Sequence, residues 1–159
     1  MDESVFANGL SALGAKDYDG AARDFDTVLN SIDMQDAQYN RVASYLGLAR
    51  SLLGDDSGLL LCRDAASNET VSGDVFLNIA CAEWHAGQRK RAIDAIHRGL
   101  EIAPDHQKLH LVLLLMDSRK RAAISFLDRD HILNRFLGRF LRRKSREMTV
   151  HTLIVASRV

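Results

Sequence analysis

Apolar positions recur at spacings of three and four along most of this chain, which is the period of helices that bury one face. The pattern predicts a first helix over about Ser4–Gly14, with Asp2 as N-cap and Gly14 and Lys16 at its end. A second helix is predicted over Tyr18–Ile32, where Ala21, Ala22, Phe25, Val28, Leu29 and Ile32 form a stripe. Asp33 to Asp36 is a polar break. A third helix is predicted over Ala37–Leu53, stopping at Gly54. Asp55-Asp56-Ser57-Gly58 reads as a turn before a short helix, Leu59–Ala66, and Ser67 to Gly73 reads as polar and loose. Further helices are predicted over Phe76–Gly87, over Arg89–Ile102 ahead of Pro104, over His106–Arg121 and over His131–Arg146. Ala122 to Asp130 carries no clear period. The end, Met148 to Val159, contains the β-prone run TLIV and is expected to be unstructured or loosely docked.

The expectation is therefore an all-α fold of eight helices in four hairpins. Gly9, Gly47, Ala80 and Leu114 take equivalent places in the first helix of each pair, 38, 33 and 34 residues apart. Helix–turn–helix units repeating about every 34 residues are the period of one known repeat class. Residues 73–106 show it best. Phe76 is the large residue early in the first helix, Ile79-Ala80 the leucine-glycine pair, and Gly87 the stop. Ala92, Ile96 and Gly99-Leu100 follow in the second helix, and Pro104 closes the unit. Glu83 stands where an aromatic is expected, with Trp84 beside it.

This unit resembles a tetratricopeptide repeat. In the first unit Gly9, Ala21, Phe25 and Val28-Leu29 fit, the DYDGA stretch resembles the inter-helix turn, and Asp33 replaces the proline. In the second, Leu46-Gly47, Gly54 and Ala66 fit, but Leu59 occupies a place for a small residue. In the fourth, Leu113-Leu114 fit and the pattern is lost after Met116. The resemblance divides residues 1–146 into units of about 2–35, 40–72, 73–106 and 107–146, with 147–159 as a tail. It implies a superhelix, since one hairpin cannot bury its own faces.

The resemblance also implies a partner-binding scaffold, with the first helix of each pair lining a concave groove. Phe6, Leu10, Leu13, Leu48, Leu52, Leu77, Cys81, Trp84, Leu111 and Leu115 fall on that face. Such an apolar groove suits an amphipathic helix or an extended apolar segment of another protein. The same residues also suit core packing, because a helix apolar around most of its circumference is usually buried. The chain's own C-terminal segment is a third occupant for the groove. Some relatives grip a C-terminal carboxylate with lysine and asparagine, but Phe6 and Leu10 stand in those places here. A non-catalytic adaptor is the leading expectation. The alternative is a small chaperone that holds a secretion or envelope-assembly client.

Charge adds one refinement. The formal net charge is zero. Residues 1–60 nevertheless hold ten acids and four bases, whereas residues 117–159 hold four acids and eleven bases. The acidic front of one copy can meet the basic end of another, which makes a homo-oligomer an open expectation. Ile132, Leu133, Phe136, Leu137, Phe140 and Leu141 form a wide apolar stripe. Arg135, Arg139, Arg142, Arg143, Lys144 and Arg146 lie off it. A capping helix explains this best, while contact of Arg135, Arg139, Arg142 and Arg143 with an acidic partner is the sharper option. The helix is short for a membrane surface, and no nucleic-acid reader motif accompanies the charge.

Enzyme signatures are missing from the sequence. No serine sits in a GxSxG elbow and no glycine loop resembles a phosphate cradle. His106 and His110, four apart, are half a metal site without a second pair. No cofactor is expected. Cys62 and Cys81 form no CxxC and read as buried free thiols of a reducing, cytoplasmic setting. No basic leader opens the chain, and the longest apolar run, Leu109–Met116, is too short to cross a bilayer. Ser157-Arg158-Val159 resembles a PDZ-type ligand only to the extent that any three residues can.

Overall fold

The computed structural model describes residues 1–117. Seven helices and no strand occur among them, so the fold is all-α: α1 (Glu3–Gly14), α2 (Tyr18–Asn30), α3 (Tyr39–Leu52), α4 (Asp56–Ser67), α5 (Gly73–His85), α6 (Arg89–Ile102) and α7 (Gln107–Asp117). The expected eighth helix and the tail lie outside the described residues. No helix among those described is long and apolar enough to cross a membrane.

Short connections dictate the architecture. Three residues separate α1 from α2, α3 from α4 and α5 from α6, so each pair must fold back as a hairpin. The first helix of each hairpin ends on a residue in the left-handed region: Lys16 at φ 66°, Gly54 at φ 88° and Gly87 at φ 82°. Glycine adopts that conformation freely, whereas a lysine there is strained by its Cβ. Successive hairpins then stack: α2 packs on α3, α3 and α4 on α5, and α5 and α6 on α7.

Two boundaries differ from the sequence pattern for local reasons. α4 begins at Asp56, three residues before Leu59, because the Asp55 carboxylate accepts the Ser57 N–H at 2.9 Å and caps the helix. Gly58 thus sits inside a helix instead of a turn. It lies against Gly47 of α3, where an added Cβ would collide with the Gly47 carbonyl and the Ser51 amide. The 68–72 segment is not loose. Buried Glu69 accepts the N–H groups of Thr70, Val71 and Ser72 at 2.9, 2.7 and 2.9 Å, and α5 follows at once.

One core runs through all the hairpins. Phe6, Phe25 and Tyr45 cluster with ring centroids 5.4–5.5 Å apart, joining the first hairpin to α3. Phe76, Ile96, Leu109, Val112 and Met116 continue the core to α7. Gly9 faces the Phe25 ring, Gly47 faces Cys62, and Gly99 faces Phe76, so no side chain separates the helices there.

Candidate functional site

Four first helices contribute to one open cleft of about 470 Å³. It is lined by Ala7, Leu10 and Ser11 of α1, Arg41 and Tyr45 of α3, Asp74 of α5, and Lys108 of α7. Three of these seven side chains carry charge. The cleft is therefore not the apolar groove that the sequence suggests.

Asp74 organises it. Its Oδ2 accepts from Arg41 Nε at 3.2 Å, and its Oδ1 faces His106 Nε2 at 3.2 Å. The His106 tautomer follows from its other nitrogen. Leu109 N–H donates to Nδ1 at 3.2 Å, so the ring proton is on Nε2 and is donated to Asp74. Gly73 makes room for this, because a Cβ there would strike the imidazole. The Tyr45 phenol is pushed above its ordinary pKa, first by burial and then by the Asp74 carboxylate.

Arg41 is fixed from three directions. Nε binds Asp74, Nη1 donates to Gln38 Oε1 at 3.3 Å, and the guanidinium lies over the Phe6 ring at 5.1 Å. Nη2 takes part in none of these bonds. The cleft thus holds two cations, Arg41 and Lys108, and one carboxylate that is already satisfied. This arrangement suits an incoming acidic group. His106 uses both ring nitrogens in structural bonds, which leaves it no lone pair for base catalysis.

The ten apolar residues expected in a groove separate into three groups. Phe6, Leu13, Leu48, Leu77, Cys81 and Trp84 are buried in the core, where a partner cannot reach them without opening the fold. Leu10 and Leu52 are half-buried against that core, and only Leu10 lines the cleft. Leu111 and Leu115 are exposed on α7, away from the cleft lining. The physical reason is stacking: a first helix in a middle hairpin has neighbours on nearly every side. Arg135, Arg139, Arg142 and Arg143 lie outside the described residues.

No family model matches the chain, and neither curated proteins nor solved structures show a match.

Other chemistry-bearing residues are committed to packing. His110 Nε2 meets the Pro104 carbonyl at 2.7 Å, so the two histidines of the 106/110 pair serve different partners. No group of three histidine, cysteine or acidic side chains suited to a metal ion occurs among the described residues. Cys62 and Cys81 are free and buried, and burial pushes the Cys81 thiol up to about 12, which keeps it protonated and unreactive. Glu83, the departure from the repeat pattern, is buried and paired with Arg63 by bonds of 2.7 and 3.1 Å.

Sequence reasoning missed Arg41, Tyr45, Asp74 and Lys108. A signal was present in the spacing. Arg41, Asp74 and Lys108 are 33 and 34 residues apart, so they share one place in three successive units and one face of the stack.

Proposed function

We propose that this chain is a non-catalytic scaffold of the tetratricopeptide type, which holds a segment of another protein in the cleft crossing α1, α3, α5 and α7. The cleft carries this reading, because one continuous surface recruits a residue from the first helix of every hairpin. The hairpin stacking and the 33–34 residue spacing of its charged lining support a repeat superhelix. The chemistry of the lining revises the expected partner. Ala7 and Leu10 offer an apolar end, and Arg41 with Lys108 offers a cationic one. A segment that sets an apolar side chain beside an acidic one is complementary to both.

Display of random peptides on the full chain tests this. The wild type should enrich segments pairing an acidic with an apolar residue. Lys108→Glu should remove the acidic preference and Leu10→Asp the apolar one, each with an unchanged circular dichroism spectrum. The proposal fails if nothing is enriched, or if both variants select the same peptides as the wild type.

A further inference from the structure

The outer face of α7 is a second surface of interest. Leu109, Val112 and Met116 are buried against the preceding hairpin. Leu111 and Leu114, on another side of the same helix, are 41% and 74% exposed. Position 114 is equivalent to Gly9, Gly47 and Ala80. In the first two hairpins that place is covered by the second helix: Gly9 by Phe25 of α2, and Gly47 by Cys62 of α4. Ala80 is fully buried. At Leu114 no described element supplies that cover. Nearby, the Trp84 indole N–H is buried with no acceptor among the described residues. Arg89 lies over the Trp84 ring at 5.7 Å and donates to the Met116 carbonyl at 2.8 Å, which places this indole beside the point where the chain leaves α7.

We propose that residues 132–141 of this same chain seat on that face, setting the Ile132, Leu133, Phe136, Leu137, Phe140 and Leu141 stripe against Leu111 and Leu114. The chain continues for 42 residues beyond Asp117. Fourteen of them, 118–131, precede the stripe, where the other hairpins use three. Fourteen residues can extend roughly 45 Å, several times the ~16 Å length of α7, so the tether imposes no obstacle. Tethering at that length also gives an effective concentration on the order of millimolar, well above that of a second copy free in solution. Leucine at 114, instead of the small residue of the other hairpins, sets a wider approach, which large residues such as Phe136 and Phe140 are suited to fill.

Thiol cross-linking in the full chain tests the seat, since Cys62 and Cys81 are buried and protected. Three double variants are needed: Leu114→Cys with Leu137→Cys, Leu114→Cys with Arg139→Cys, and Leu10→Cys with Leu137→Cys. A short bis-maleimide should link the first pair within one chain and leave the other two largely unlinked. Linkage at Leu10 instead would place the segment in the cleft and overturn the proposal. Linkage only between chains would give the face to a second copy and overturn it as well. Hydrogen exchange of the wild type guards against a misfolded variant. Amides of 132–141 should be protected and should lose that protection in Leu111→Ser/Leu114→Ser, while residues 3–102 keep theirs. Unprotected amides in the wild type would equally overturn it.

Discussion

Helices α5 and α7 are similarly rich in apolar residues, yet the fold treats them differently. Eleven of the thirteen residues of α5 are buried. On α7, Leu111, Leu114 and Leu115 stand exposed while Leu109, Val112 and Met116 are covered. The difference lies in their neighbours: α3, α4, α6 and α7 surround α5, whereas α5 and α6 are the only described elements that pack on α7. In a stacked-hairpin chain, the burial of a side chain reports its rank in the stack more than its hydrophobicity.

The middle of the stack can afford buried polar groups because they are paired, and this gives the sharpest way to break the contrast. Arg63→Ala would strand the Glu83 carboxylate, whose side chain is 3% exposed. A loss of about 4 kcal/mol is expected in denaturant unfolding. An unchanged midpoint would mean that water reaches Glu83 and that α5 is less enclosed than its contacts indicate.

Matched truncations come next. Leu77→Ala on α5 should cost about 3 kcal/mol, as a leucine in a closed core does. Leu114→Ala on α7 should cost no more than about 1 kcal/mol. Equal losses at the two sites would erase the distinction between the helices and show that Leu114 is as enclosed as Leu77. A smaller and opposite effect is expected at the first turn. Lys16 alone among the three first-helix stops is not glycine. Lys16→Gly should therefore raise stability by up to about 1 kcal/mol, the relief of a left-handed residue offset by glycine's greater freedom in the unfolded chain. A destabilised variant would show that the lysine side chain does something there that offsets its strain.

Much of the fold was legible because helical period and stop signals are local. The Arg89–Ile102 helix has the predicted limits, and Asp2 caps α1 as expected, accepting the Ser4 amide at 3.0 Å. What misled were residues with two local meanings. Asp55 to Gly58 has the composition of a turn, but Asp55 is a cap and Gly58 is a point of close helix contact. Glu69 lies in a polar stretch, yet its carboxylate gathers three backbone amides.

The cleft was less legible than the fold. Its apolar candidates were chosen by helix face, and a face becomes surface or core only when the next hairpin is in place. Leu77 and Trp84 went inside for that reason. Arg41, Asp74 and Lys108 looked like ordinary charges, although their spacing matched the repeat.

By itself, then, the sequence determined the helices, the hairpin turns and the repeat spacing, because these depend on residues close along the chain. The tertiary structure alone decided which apolar stripes became core. It also brought Asp74, Arg41 and His106 within hydrogen-bond distance and gave Glu83 its Arg63 partner. Those outcomes depend on contacts between residues 20 to 33 positions apart, which no local pattern encodes.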